Sequence, residues 1–196
     1  MTPDLANEAL ASQIAFLQEI DRLKGVLRAT PICDNSRPEN SAEHSWHLAM
    51  YAMVLVDQAG PDVRIDRVIR MLLLHDIVEI DAGDVPIHLV HDSEAQAAKE
   101  RVAAERIFGL LPAEQGAEFR ALWEEFEAAQ TPDAVFAKSI DRVQPLLLNL
   151  ANGGGSWIDY HVTMEQIDAR VGTKVNRGAP ALWRHVRARV AGYFAS

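Results

Sequence analysis

Carboxylate and imidazole side chains interrupt an apolar segment in the middle of the sequence. His75 and Asp76 directly follow the apolar run 71–74, and Glu79 comes one helical turn later. Burying an unpaired carboxylate costs several kcal/mol, so these groups need compensation if the segment is a core helix. The pattern therefore indicates that a compensating group lies beside this segment.

Two further segments carry the same residue types. His44 lies in the first turn of a predicted helix at 42–60, and Asp141 interrupts the apolar sequence FAKSIDRVQPLLLNL. A divalent cation bound by two neutral histidines and two aspartates would satisfy all of these groups. The residues alone leave simpler interpretations open. A lone histidine is often a hydrogen-bonded core residue, and Asp141 could pair with Arg142 or Lys138 at the surface.

Helices must position these residues, because helical periodicity dominates the sequence. Asn40 or Ser41 can cap the second helix, and Thr131 and Pro132 suit the N-cap and the first position of a later one. We find no convincing run of alternating apolar residues, so we expect strands to be few or absent. Helices are predicted at about 10–27, 42–60, 64–80, 93–110, 112–129, 131–149, 163–171 and 179–194. The sequence thus predicts one all-α domain of about eight helices over residues 1–196.

Composition narrows the class of protein. The 196 residues are 48% apolar and 24% charged, which suits a globular domain, and the net charge of −9 argues against nucleic-acid binding. Cys33 is the only cysteine, so neither an internal disulfide nor a thiolate zinc site is expected. The start, MTPDLANEAL, lacks signal-peptide features, and no apolar run reaches the roughly 18 residues of a membrane span. We expect a cytoplasmic protein that binds no membrane.

Three segments carry a family resemblance. AEHSWHLAMYA, LLLHDIVEIDAGDVP and FAKSIDRVQPLLLN resemble the signature segments of HD-domain metal-dependent phosphohydrolases, and the similarity extends to RPENSAEHS and LWEEFE. The small 5'-deoxynucleotidase branch is the most similar. The resemblance implies an HD-domain helical bundle that binds one divalent metal ion (Mn, Co, Fe, Ni, Zn or Mg). It also implies hydrolysis of (deoxy)nucleoside 5'-monophosphates to nucleoside and phosphate.

The resemblance also assigns roles to individual residues. Glu79 matches a catalytic acidic residue one helical turn after the His-Asp pair, and Asp84 matches a position that contacts substrate or water. Arg28 falls where this branch has an arginine that orients the phosphate, and the aromatic residue that can follow it to select deoxyribose is replaced by Ala29. The implied metal ligands are His44, His75, Asp76 and Asp141.

Three more residues are candidate substrate contacts because of their positions. Arg37 lies on the same approach segment as Arg28, His47 is three residues after His44, and Lys138 is three residues before Asp141. The resemblance also implies a homodimer. An apolar helix face that includes the region of Trp157 and the C-terminal helix could support it.

Other functions stay open at this point. A phosphodiesterase or a nucleoside triphosphate or (p)ppGpp hydrolase would use the same chemistry, but few basic residues lie near the motifs to hold a polyanionic substrate. A non-catalytic nucleotide-sensing module predicts the loss of a ligand, whereas all four ligand positions are present. A small nucleotide is therefore the expected partner.

Overall fold

Helices dominate the computed structural model, which describes residues 3–90 and 92–195, and the prediction of an all-α fold is confirmed. Within these ranges, no helix combines the length and the apolar character that crossing a membrane requires. The helices are α1 (Pro3–Ile20), α2 (Ser41–Val54), α3 (Ile65–Leu74), α4 (Glu79–Ala82), α5 (Ser93–Phe108), α6 (Ala113–Ala128), α7 (Pro132–Ala151), α8 (Ser156–Asp159), α9 (Met164–Ile167), α10 (Thr173–Gly178) and α11 (Pro180–Phe194). Shorter 3-10 segments lie at Asp21–Gly25 and Val56–Gln58, and a π-helical segment at Asp168–Gly172.

A small antiparallel ribbon separates α1 from α2. Its strands are β1 (Leu27–Pro31) and β2 (Pro38–Asn40), with Leu27 opposite Asn40. The prediction of helix up to residue 27 is therefore wrong at its end. Thr30 precedes a proline, which disfavours the helical conformation for that residue, and prolines at 31 and 38 remove two N–H donors. The ribbon leads directly into α2.

The predicted N-caps are confirmed at two helices. The Asn40 side chain accepts a hydrogen bond from the backbone N–H of Glu43, at 2.9 Å, and starts α2. Thr131 caps α7 in the same way by accepting from Ala134 N, at 3.3 Å, and Pro132 occupies the first helical position. Capping hydrogen bonds satisfy N–H groups that lack partners within the helix. They fix where the helices that carry His44 and Asp141 begin.

The helix predicted at 64–80 is interrupted at its polar residues. α3 ends at Leu74, and a tight turn leads to α4, which begins at Glu79. Within that turn the Ile77 N–H donates to the Leu74 carbonyl at 3.2 Å, and the Glu79 N–H donates to the Asp76 carbonyl at 2.9 Å. These three-residue spacings are tighter than those of an α-helix, and they interrupt the regular helix at its polar residues. α2 likewise ends at Val54 rather than near residue 60.

α7 forms the centre of the hydrophobic core. Its Phe136, Ile140 and Val143 side chains are fully buried, and the helix contacts α2, α3, α6, α10 and α11. Trp157 is 2% exposed and packs against the rings of Tyr193 and Phe194, both at 5.4 Å between centroids. Trp157 itself is therefore a core residue, and its side chain is not available to the dimer face that the sequence suggested for this region.

Close approach of α10 to α7 requires a glycine at position 178. A Cβ atom there would lie 2.6 Å from the backbone carbonyl oxygen of Val135, which has little freedom to move. We expect Gly178→Ala to lower the free energy of unfolding by about 1–3 kcal/mol, as overpacking does. Gly192→Ala is the matched control, since nothing lies within 4 Å of its added Cβ in α11. It should be neutral or stabilising by up to about 1 kcal/mol. Urea unfolding measures both, and equal effects would contradict the packing argument.

Candidate active site

One cavity of about 450 Å³ collects most of the residues that the sequence singled out. Its walls come from β1, from the turn between α3 and α4 with the segment that follows, from α5 and α6, and from α7 and the helices after it. Cavities of this size hold small-molecule ligands. The predicted site residues that line it are Arg28, His75, Asp76, Glu79, Asp84, Lys138 and Asp141.

Two histidines and an aspartate converge at the base of this cavity. His44, His75 and Asp141 are buried, and each offers one ligand atom such that these atoms all lie within 4.8 Å of one another. Asp76 adjoins them, with Oδ1 at 2.9 Å from His75 Nε2 and Oδ2 at 4.0 Å from His44 Nε2. Asp141 does form the ion pair with Arg142 that the sequence left open, at 3.7 Å between Oδ2 and Nε, but Asp141 is buried and both residues line the cavity, so the pair does not lie on the surface.

The hydrogen bonds of His75 indicate that a cation fits between these side chains. His75 Nδ1 lies 2.8 Å from the Leu72 carbonyl oxygen, so this nitrogen must carry the hydrogen and donate. In the neutral form that a metal-binding histidine must have, Nε2 then has a lone pair, and this buried atom has no hydrogen-bond partner although Asp76 Oδ1 lies nearby. A lone pair facing a carboxylate oxygen is repulsive. A divalent cation between them would convert the repulsion into two bonds.

Arg28 supplies positive charge to the upper part of the cavity. It reaches in from β1, and one of its guanidinium nitrogens donates to Asp76 Oδ2 at 2.7 Å. The same nitrogen lies 3.7 Å from Glu79 Oε1 and 3.7 Å from Asp84 Oδ1. Burial lowers the pKa of Arg28, but the surrounding carboxylates raise it by more than burial lowers it. The guanidinium is therefore permanently charged. One cation thus links three acidic side chains.

The acidic residues separate into two classes by pKa. Burial raises the pKa of Asp76 and of Asp141, but interactions with nearby basic groups outweigh burial and hold both values below the ordinary range. For Asp76 these groups are His75 and Arg28. For Glu79 burial dominates, the negative charge of Asp76 adds to it, and the pKa lies well above the ordinary value despite Arg28. Burial likewise raises the pKa of Asp84. Glu79 and Asp84 therefore bind a proton more readily than Asp76 and Asp141 do.

The three candidate substrate contacts have different surroundings. Lys138 lines the cavity, donates to Glu127 at 2.8 Å and lies 3.9 Å from the ring centroid of Phe126. Arg37 lies outside the cavity because its guanidinium forms a two-point ion pair with Glu43 on the exposed side of β2. His47 also lies outside it.

His47 and two other polar residues form a second layer behind His44. His47 Nδ1 accepts from the side chain of Gln144 at 3.2 Å, and Gln144 in turn donates to Glu39. Sequence reasoning missed Glu39 and Gln144. The only local signal for Glu39 in the sequence was its position two residues before the first turn of α2. Sequence reasoning also did not assign Arg142 and Lys174 to the site, although both line the cavity, from α7 and α10.

Solved structures and curated relatives resemble this chain over most of its length. A predicted metal-dependent phosphohydrolase from Magnetospirillum magnetotacticum is 48% identical, with a TM-score of 0.89 and 95% of each chain covered. The human 5'-deoxynucleotidase HDDC2 is 32% identical over 137 residues, which are 69% of this chain and 66% of the human protein. The 5'-deoxynucleotidase hdd1 of Schizosaccharomyces pombe is 28% identical, with 68% of each chain covered.

The family assignment follows from the extent of the match. The sequence profile described as "HD domain" matches residues 20–183, which include β1, the turn between α3 and α4, and all of α7. These are the elements that bring imidazoles and carboxylates together at the base of the cavity. The resemblance stated from the sequence is confirmed, and the chain belongs to the HD domain family.

Proposed function

We propose that this protein is a divalent-metal-dependent phosphomonoesterase that hydrolyses nucleoside 5'-monophosphates, including deoxynucleotides, to nucleoside and phosphate. The observation that carries the proposal is the convergence of His44, His75 and Asp141 beneath a cavity that also contains Arg28 and two protonatable carboxylic acids. The names of the relatives, metal-dependent phosphohydrolase and 5'-deoxynucleotidase, support the same class of reaction.

The metal ligands in this proposal are His44, His75, Asp76 and Asp141. Their nitrogen and oxygen donors suit Mn, Co, Fe, Ni, Zn or Mg, with one ion bound. When bound, such a cation would act as a Lewis acid on the phosphoryl group and lower the pKa of water toward neutrality. Neighbouring side chains can supply the remaining requirements, which are phosphate binding, charge neutralisation and proton transfer.

Arg28 is the proposed phosphate-orienting residue. Its guanidinium is fixed by Asp76, Glu79 and Asp84, so little conformational entropy is lost when it binds an anion. Lys138 lines the same cavity from α7, and its positive charge can contribute to neutralising a phosphomonoester dianion. Ala29 also lines the cavity beside Arg28, in the position at which an aromatic residue could contact the sugar.

Glu79 is the proposed general acid. Hydrolysis forms a bond between a water oxygen and phosphorus and breaks the bond between phosphorus and the 5' oxygen, which then needs a proton. The raised pKa favours the protonated form of Glu79, which can supply that proton. Its other oxygen accepts a hydrogen bond from the Ser41 hydroxyl at 2.6 Å, which fixes the carboxyl group. Asp84, which lies 3.7 Å from the same Arg28 nitrogen, can in its ionised form take up the proton released by the attacking water.

A substrate panel tests the reaction class. We expect the purified protein, supplied with each divalent metal in turn, to release inorganic phosphate from deoxynucleoside 5'-monophosphates. Ribonucleoside 5'-monophosphates, assayed in parallel, determine the sugar preference at a site that has Ala29 after the arginine. Release of pyrophosphate or triphosphate from nucleoside triphosphates, or cleavage of phosphodiesters alone, would favour the rival hydrolases. Failure to release phosphate with every metal would reject the proposal.

Two substitutions separate metal binding from proton transfer. Asp76→Ala should lose both the stoichiometric ion and the activity, because it removes a proposed ligand. Glu79→Gln should keep the ion and lower kcat by about 10²–10⁴-fold, because it cannot donate a carboxylic acid proton. Elemental analysis measures the ion, and steady-state kinetics measures kcat. A retained ion in Asp76→Ala, or a near-normal kcat in Glu79→Gln, would remove that residue from its proposed role.

We further propose that the chain acts in the cytoplasm as a homodimer of single HD domains. The proposed dimer contact is an exposed apolar face on α2. Trp46, Met50 and Met53 recur there at helical spacing with exposures of 62%, 40% and 55%. A large aromatic residue flanked by methionines is typical of protein interfaces. A second copy of the chain is the proposed occupant.

The oligomeric state tests this face. We expect light scattering to give twice the chain mass for the wild type and the monomer mass for Trp46→Glu, because the charge would be buried without a partner in the interface. Val102→Glu is the control, since Val102 is similarly exposed, at 69%, but lies on α5. A monomeric wild type at all concentrations, or the same effect from both variants, would contradict the proposal.

A further inference from the structure

Two buried polar side chains lie behind His44, on the side away from the cavity. Glu39, on β2, is 2% exposed, and Gln144, on α7, is fully buried. Neither side chain lines the cavity. Gln144 is one helical turn after Asp141, so α7 places one residue on each side of the His44 ring. The contacts of these two residues determine which nitrogen of that ring carries the hydrogen.

Gln144 has its amide orientation fixed by two neighbours. Its Nε2 donates to Glu39 Oε1 at 2.7 Å, and the second hydrogen of the same nitrogen points to His47 Nδ1 at 3.2 Å. Its Oε1 therefore faces His44 Nδ1, at 3.1 Å. Glu39 Oε2 also faces His44 Nδ1, at 3.2 Å. Both neighbours of that nitrogen are acceptors, so His44 Nδ1 must carry the hydrogen.

The opposite ring nitrogen then faces the acidic cluster. His44 Nε2 lies 3.2 Å from Asp141 Oδ1 and 4.0 Å from Asp76 Oδ2. In the neutral form that binds a metal ion, with the hydrogen on Nδ1, Nε2 has its lone pair on the side where a cation would bind. A carboxylate that accepts the other ring hydrogen fixes the ring and increases the basicity of the ligand nitrogen.

Packing alone does not account for a carboxylate at position 39. Burying it costs several kcal/mol, and an apolar side chain of similar volume avoids that cost. Among the residues that the structure describes, no lysine or arginine forms an ion pair with Glu39. Its polar partners are the ring of His44, the amide of Gln144 and, at 4.0 Å, His47 Nδ1. The contacts of Glu39 are thus directed at His44.

We propose that Glu39 and Gln144 are positioning residues that hold His44 in the tautomer and orientation that bind a divalent cation. The inference rests on the proposed metal-dependent function and adds a determinant of metal affinity outside the cavity. Carboxylate partners of metal-binding histidines change metal affinity by about 10–100-fold when they are replaced. We expect an effect of that size, because Glu39 contributes both a hydrogen bond and a negative charge.

Binding of Mn²⁺ alone, without substrate, tests this role. Metal-stripped wild type and Glu39→Gln are titrated by calorimetry, and we expect the variant to bind Mn²⁺ about 10–100-fold more weakly. Far-UV circular dichroism and the unfolding midpoint of the metal-stripped protein should be unchanged or raised, since a buried charge is removed. Glu118→Gln is the matched control, because that carboxylate pairs with Arg70 on the exposed face of α6. It should bind Mn²⁺ as the wild type does.

A second variant keeps the test decisive if Glu39→Gln fails to fold. Gln144→Leu removes the amide but leaves the carboxylate, and it should also weaken Mn²⁺ binding. The visible absorption bands of the Co²⁺-loaded proteins should shift in either variant, because they report ligand geometry that a purely structural role would leave unchanged. Mn²⁺ affinity within twofold of the wild type in the folded variants would overturn the inference. A wild type that binds no divalent metal would instead overturn the proposed function beneath it.

Discussion

Buried negative charge at one point of a helical core is the constraint that the rest of the structure must satisfy. Asp76, Glu79, Asp84 and Asp141 share a single cavity, and burial penalises the ionised form of each. Arg28 compensates three of them through one guanidinium group. The remaining charge is placed beside two imidazole rings. The apolar packing of the surrounding helices offsets the free-energy cost of burying these acids, so the protein can keep a functional site that lowers its stability.

The separation of pKa values among these acids is a consequence of where positive charge lies. Asp76 has both Arg28 and His75 at hand, so it stays ionised at the base of the cavity. Glu79 is buried next to that ionised group and cannot easily ionise as well. Similar side chains thus acquire opposite tasks, ligand and proton carrier, from their surroundings alone. The geometry of the turn after α3 determines which acid receives which task.

Sequence reasoning predicted the all-α fold and most of the helices, and together with the family resemblance it singled out the residues that meet at the base of the cavity. N-cap residues and apolar periodicity, which are local signals, located the helices of His44 and Asp141, and the family resemblance identified these two residues as candidate ligands. The β1–β2 ribbon and the early end of α3 at Leu74 were missed, because proline effects and the choice between tight and regular turns depend on tertiary contacts. The position of a residue in the sequence also does not specify which way its side chain faces. His47 is one turn from His44, yet it contacts Gln144 rather than the cavity.

Substitutions at neighbouring positions affect the orientation of the two histidine rings at the base of the cavity to different degrees. The Nδ1 hydrogen of His75 is held by a backbone carbonyl, that of Leu72, which every amino acid at that position would provide. The Nδ1 hydrogen of His44 is held by the side chains of Glu39 and Gln144, either of which one codon change can remove. Substitutions at other positions can therefore change the orientation of the His44 ring, whereas the orientation of the His75 ring is kept as long as the backbone of α3 is kept.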